Sequence, residues 1–186
     1  MKKALLIIDI QNDYFNGGSH TLVNALDAGE NAGRLLSDAR KKNIPVMHIR
    51  HIATNPGADF FLPDTEGAKI HACVNPKEGE KVIIKHYPNS FRETELLKHL
   101  QENGITDLVI CGMMTDVCVD ATVRAAKDFN FNTTVIGDAC TTRDRELYGK
   151  TIEAQQVNES YLAGMAALGG LYANVITTQQ FLKENK

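Results

Sequence analysis

The sequence predicts an α/β fold: a three-layer α/β/α arrangement around a doubly wound, mainly parallel sheet of about six strands. Three observations predict it. Short β-branched or aliphatic runs alternate with longer helix-like segments along the chain, the pattern of strands joined by helical crossovers. Most of these runs are continuously apolar rather than alternating, as strands are when helices cover both faces of a parallel sheet. No break in composition divides the 186 residues, so residues 1–186 read as one domain, long enough to bury about 70% of the surface its unfolded chain exposes.

In chain order, the first strand is Ala4 to Asp9, "ALLIID". A helix follows over Val23 to Asn43, where apolar residues recur at helical spacing and Asn43 stands before Ile44-Pro45, a stop signal. Pro45 to Arg50 and Lys81 to Lys85 are the next two strands. Between them, Ala53 to Gly79 is irregular and punctuated by proline and glycine; it is expected to lie over one edge of the sheet, and long loops of this kind are often functional. The helix Glu93 to Asn103 ends in Asn103-Gly104, a good left-handed terminator. A strand from Asp107 to Gly112, a helix from Thr115 to Asn130, a strand from Asn132 to Ile136, a helix from about Arg145 to Leu168 and a strand from Asn174 to Thr177 complete the alternation.

Composition narrows the function. Hydrophobic residues make up 43% and charged residues 23% of the chain, as in an ordinary globular protein. A net charge of -3, with lysine and arginine scattered, suggests neither a nucleic-acid nor an anionic-membrane partner. "MKKALLIIDI" imitates a secretory signal, but only five apolar residues, Ala4 to Ile8, precede Asp9, too few for its apolar region. No stretch approaches the ~18 apolar residues of a membrane span. A cytoplasmic protein with Cys73, Cys111, Cys118 and Cys140 reduced is expected, and their spacings match no zinc or CxxC pattern. "FNGGSH" lacks a phosphate-loop lysine and "GMMTDV" lacks the glycines of a dinucleotide fingerprint, so no cofactor is implied.

In doubly wound sheets, ligands bind outside the carboxyl ends of the strands. Asp9 ends "ALLIID", Lys85 ends "KVIIK", and Cys118 lies just past "DLVICG", after a loop and at a helix start. Each alone has an ordinary reading: a turn former, a solvated lysine, an inert buried thiol. Together they place an acid, a cation and a thiol in one crevice. With Thr115 as N-cap, Cys118 falls at the third helical position, where free N–H groups and the helix dipole favour a thiolate; cysteines so placed, or beside a cation, reach pKa values of ~3.5–7.5. Lys85 supplies the cation and Asp9 is available to accept the thiol proton. Cys111, inside the run Leu108 to Cys111, has none of these features and reads as strand packing.

These segments resemble the isochorismatase-like cysteine hydrolase superfamily, whose relatives include nicotinamidases, N-carbamoylsarcosine amidases and isochorismatases, over nearly the whole chain. "LLIIDIQNDYF" resembles its opening strand, "VIIKHYPNSF" its lysine strand, and "GMMTDVCVDATVRAA", the most specific match, its nucleophile segment. The resemblance implies a Rossmann-like fold, a catalytic triad of Asp9, Lys85 and Cys118, a cis peptide between Met113 and Met114, and an oxyanion hole from the backbone N–H groups of Met114 and Cys118. The mechanism expected of these residues is that Asp9 takes the thiol proton, the thiolate attacks a carbonyl, an amine or ammonia leaves, and water activated by Asp9 hydrolyses the thioester, while Lys85 holds the thiolate and orients the aspartate. The resemblance also implies a homo-oligomer, dimer or larger, acting on a small molecule.

Departures from better-known relatives sharpen the expectation. Nicotinamidases carry a metal site from an Asp-x-His pair after the second strand, where this chain has "MHIRHIA" with Arg50 near the aspartate's place. His48 and His51 are three apart, so on a strand they face opposite ways, and no metal is expected. Isochorismatases proper lack the cysteine and cleave a vinyl ether. What remains is cleavage of a C–N bond in an amide, carbamoyl group or lactam, with a nicotinamidase-type amidase, or a ligand-binding redox sensor using Cys118, as alternatives. "PGADFFLPDTEGAKIHACV" gives a weaker resemblance to streptothricin-type lactam hydrolases. Gln11, Phe15, Phe91 and Thr115 are candidates for substrate binding; Tyr14, beside Phe15, is a further candidate to line the pocket, Ser90 follows the lysine strand, and His71 in the irregular segment reads as a surface histidine or one that approaches the site. Cys140, in "GDACTTRD", is a second candidate thiol, and Arg143 and Asp144 are expected to begin the next helix.

Overall fold

The computed structural model describes residues 2–184, so the outermost ends of the 1–186 reading lie outside the described residues. Its elements are β1 (Lys3–Ile8), α1 (Ala25–Lys41), β2 (Val46–His51), β3 (Lys81–Lys85), α2 (Leu96–Glu102), β4 (Asp107–Met113), α3 (Asp120–Asp128), β5 (Asn132–Thr141), β6 (Arg145–Leu147), β7 (Lys150–Ile152), α4 (Ala154–Gly170), β8 (Asn174–Ile176) and α5 (Thr178–Glu184). Six strands form one parallel sheet in the order β3-β2-β1-β4-β5-β8. The order reverses at β1, the switch point where such sheets form a crevice. α1 packs beside α5, and α3 beside α4; right-handed crossovers put these pairs on opposite faces.

Burial explains the continuous apolar runs. β1 and β4 lie at the centre of the sheet, and Leu5 to Ile8 and Leu108 to Met113 are all buried. α1 turns Ala28, Ala32, Leu35, Leu36 and Ala39 into the same core, a helical stripe of small and branched residues that lets it lie close to the sheet. Gly112, at φ +142°, is required where β1 and β4 meet: a Cβ there would stand 2.1 Å from the carbonyl oxygen of Ile8. That contact brings the end of β4 against the end of β1, one residue before Asp9.

Two helix expectations change. The predicted helix from Arg145 opens instead as the hairpin β6–β7, turning at Tyr148 and Gly149, and α4 begins only at Ala154. The predicted helix from Thr115 begins as one π-turn, Thr115–Val119, before α3. The irregular segment lies over the carboxyl edge of the sheet, at the ends of β1 and β2: Lys69 and Gly67 carbonyls accept from Asn12 and Asp13, His71 N–H donates to Ile10, and Phe61 accepts from Ala53. β5 also runs to Thr141, past a register irregularity opposite Ile110–Gly112. Among the described residues, no helix is long and apolar enough to cross a membrane.

Candidate active site

Four adjacent strands supply the site. Asp9 follows β1, His51 ends β2, Lys85 ends β3, and the π-turn after β4 carries Cys118. His51 and Lys85 are register partners. Asp9 turns out of its strand with φ +49°, a conformation that Asp tolerates better than most residues. Its N–H still donates to Ile49 of β2 at 3.1 Å.

Asp9 and Lys85 form a wholly buried ion pair, Nζ to Oδ2 2.8 Å, with both side chains 0% exposed. The lysine is otherwise saturated: Nζ donates to the carbonyls of Tyr87 at 3.1 Å and Pro88 at 2.8 Å. Burial opposes its charge, but the Asp9 carboxylate and the neighbouring Cys118 sulfur hold its pKa above the ordinary lysine value. The carboxylate is less well served, since neither oxygen accepts a hydrogen bond of good geometry from a described residue. A buried carboxylate with only an ionic partner has lone pairs left for a proton.

Cys118 is buried, and an Asp9 oxygen, a His51 ring nitrogen and Cys118 Sγ all lie within 4.8 Å of one another. The expected low thiol pKa is overturned. Burial pushes the Cys118 thiol well up, Asp9 pushes it further, and Lys85 recovers only part of the shift. Thr115 is not the cap either: Met114 is the N-cap residue, and the Thr115 hydroxyl donates to Asn158 Oδ1 of α4 at 2.5 Å. Cys118 is therefore the fourth residue of a π-turn, and low dielectric outweighs the dipole. Burial raises the other thiols as well, Cys73 to about 11, Cys140 to about 12, and Cys111 far above its ordinary value. Cys118 is set apart by its charged neighbours, not by acidity. The peptide between Met113 and Met114 is cis, as the resemblance implied.

The remaining candidates separate. Gln11 is fully buried but spends its amide on backbone: Oε1 accepts from His51 N at 2.7 Å, while Nε2 donates to the carbonyls of His51 and Ala68, both at 2.9 Å. It positions the end of β2 rather than facing a ligand. Phe91 belongs to an aromatic cluster with Phe129 and Phe131 at ring separations of 5.2 and 6.1 Å, and Ser90 bonds Thr122. Phe15 stacks on His71 at 3.6 Å, and His71 Nδ1 lies 3.0 Å from Cys73 Sγ; both rings line an outer cavity with Asn16 and Leu22. Cys140 sits in β5 opposite Gly112. His48 faces the other way from His51 and bonds Glu80 at 3.0 Å. Arg143 and Asp144 do not begin a helix but precede the β6–β7 hairpin; Asp144 reaches across it to accept from Ala154 N, the first residue of α4, at 2.7 Å, and Arg143 donates to His20 at 2.7 Å.

The sequence weighs His51 only as a metal ligand beside His48, although its register with Lys85 places it at a strand end, and it gives no signal for Arg145 as a neighbour of the site. Tyr14 is buried, and its pKa is raised by burial and then by the nearby Cys118 and Asp9. Arg145 Nε donates to Asp116 Oδ2 at 2.6 Å, and Nη2 lies 3.4 Å from Met114 Sδ; burial there works against Asp116, but Arg145 and Thr142 hold its carboxyl low. Asp9, His51 and Cys118 offer an oxygen, a nitrogen and a sulfur close enough for one ion. The set suits a cation poorly, because the Lys85 ammonium already stands against the carboxylate.

Comparison with known proteins agrees with this architecture. The family model of the Isochorismatase domain matches residues 3–180. The uncharacterized isochorismatase family protein YddQ of Bacillus subtilis is 48% identical over 98% of this chain and 100% of its own length. A streptothricin hydrolase of Streptomyces noursei is 31% identical over 76% of this chain and 50% of its own length. The crystal structure of an isochorismatase from Pseudomonas putida superposes with a TM-score of 0.89 at 38% identity, covering 96% of this chain and 89% of that one. The chain belongs to the isochorismatase family and is an enzyme of that hydrolase superfamily.

Proposed function

We propose that the chain is a cysteine-dependent hydrolase that cleaves a C–N bond of a small amide, carbamoyl or lactam substrate through a thioester on Cys118. The observation that carries this reading is the fully buried Asp9–Lys85 pair beside Cys118. Two charges are kept out of water at a cost of several kcal/mol each before their pairing is counted, next to a thiol that burial keeps protonated. A resting thiol with a carboxylate at its side calls for proton transfer during attack rather than a standing thiolate.

In this reading Asp9 accepts the Sγ proton as sulfur bonds to the substrate carbonyl carbon. The Lys85 ammonium remains against both groups and offsets the negative charge. The oxyanion is received by the backbone N–H groups of Met114 and Cys118, the donors assigned by family resemblance. Collapse breaks the C–N bond, and the amine leaves with the proton held on Asp9. Water then hydrolyses the thioester and regenerates the thiol. A redox-sensor role fits less well: oxidation favours exposed thiolates, whereas Cys118 is buried and its pKa is raised.

The test is turnover of a panel of amides, lactams and carbamoyl compounds by the wild type, with Cys118→Ala as control. Hydrolysis of at least one class, abolished in the variant, supports the reading; hydrolysis that survives Cys118→Ala overturns it. The reading also carries a homo-oligomer of this chain, supported by exposed apolar side chains at Leu147, Tyr148 and Leu168; light scattering that finds one copy in solution removes that part.

A further inference from the structure

We propose that His51 is a catalytic residue of the second half-reaction, the general base that takes a proton from the water attacking the Cys118 thioester; this rests on the cysteine-hydrolase reading above. Four observations support it. A ring nitrogen of His51 lies within 4.8 Å of both Cys118 Sγ and an Asp9 oxygen, near enough for one water to touch imidazole and thioester together. His51 is half-buried, while Asp9 and Lys85 are completely enclosed, so of these three side chains it is the one that keeps contact with solvent. Its ring nitrogens make no hydrogen bond to a described residue; the Gln11 amide engages only its backbone N–H and carbonyl. Burial lowers its pKa, only partly countered by Asp9, so at neutral pH the imidazole is uncharged and one nitrogen can accept a proton.

The other bases are less available in this step. The three protons of Lys85 face Asp9 and two backbone carbonyls, and Asp9 is wholly enclosed and already paired with that lysine. The backbone of His51 is clamped from both sides by the amide of Gln11, two residues beyond Asp9, which fixes the imidazole relative to the acid. The chemistry balances. Water oxygen bonds to the thioester carbon as His51 takes one water proton; the tetrahedral intermediate collapses with C–S cleavage; the departing sulfur recovers that proton from the imidazolium. A carboxylic acid and free Cys118 thiol result.

The test uses p-nitrophenyl acetate, an activated ester that acylates a thiol without a leaving amine, on the wild type, His51→Gln and His51→Ala. The expected result in both variants is a burst of about one equivalent of p-nitrophenolate per enzyme, then turnover slowed about 100-fold, with an acetyl group persisting on Cys118 by mass spectrometry. Deacetylation within about twofold of the wild type overturns the proposal. So does equal loss of burst and steady rate, the mark of a merely structural histidine. If the wild type releases no more p-nitrophenolate than Cys118→Ala and gains no acetyl group, the nucleophile assignment itself fails, and His51 falls with it.

Discussion

β3 has an ionic cluster at each end, half-buried at its start and wholly buried at its end, and the two are built differently. At its start Glu80 is saturated: Arg40 donates to both carboxylate oxygens at 2.7 and 2.9 Å, His48 lies at 3.0 Å, and Lys77 N–H donates at 2.9 Å. At its end, Lys85 is saturated but Asp9 is not, because neither carboxylate oxygen receives a well-formed hydrogen bond. One cluster spends its charge on holding the fold. The other leaves a buried carboxylate facing a thiol and an imidazole, an arrangement costly for stability and useful for moving protons.

The sharpest way to break this contrast is at sulfur. Cys118→Ala is expected to reduce turnover by about 10⁴-fold or more, the scale of nucleophile removal, while the thermal midpoint moves little; activity and melting measured on one preparation check both. Lys85→Met is expected to lose activity and also about 3–5 kcal/mol of stability, because Asp9 becomes a buried charge without a partner. Adding Asp9→Asn to Lys85→Met is expected to return much of that stability and none of the activity, as read by denaturant titration beside turnover. A double variant as unstable as Lys85→Met would show that the ion pair holds the fold more than it serves the chemistry.

Smaller effects belong to the other end. Glu80→Gln is expected to cost about 1–2 kcal/mol at neutral pH with turnover almost unchanged. Its pH signature has a definite sign. Hydrogen bonds, from Arg40 first and then from Lys77 N–H and His48, outweigh the cost of burial and hold the Glu80 carboxyl at about 2, below the ~4.3 of an unfolded glutamate. Its stabilisation is complete above that unfolded value and is lost as pH falls toward the folded one. Glu80→Gln should therefore flatten the stability curve between these limits, in urea titrations at stepped pH. Cys140→Ala is expected to change turnover by less than about twofold and to cost about 1–2 kcal/mol for a small cavity.

The sheet and the three central residues were legible because each leaves a simple trace: a fully buried parallel strand is a continuous apolar run, and an ionisable residue at its end is an exception to it. Asp9 and Lys85 stand out for that reason. The hairpin after β5 was not legible, since its turn puts a tyrosine at φ +52° before Gly149 where Asn-Gly or Asp-Gly is the recognised signal, and "RELYGKTI" carries no apolar alternation. Burial was the other gap. The position of Cys118 near a helix start suggests an acidic thiol, but acidity depends on the solvent left around the sulfur, which the packing of four strand ends decides. Gln11 and Phe91 read as pocket residues in the sequence because they sit near motif residues; the first is consumed by backbone hydrogen bonds and the second by neighbouring rings.

The most direct measurement is acid-quenched mass spectrometry of the protein while it turns over whichever panel compound it hydrolyses. The expected result is an acyl group of the substrate's mass on the peptide containing Cys118, absent when Asp9→Asn is treated in the same way. Turnover with an unmodified Cys118, or an adduct on the peptide of Cys140 or Cys73 instead, would contradict the assignment.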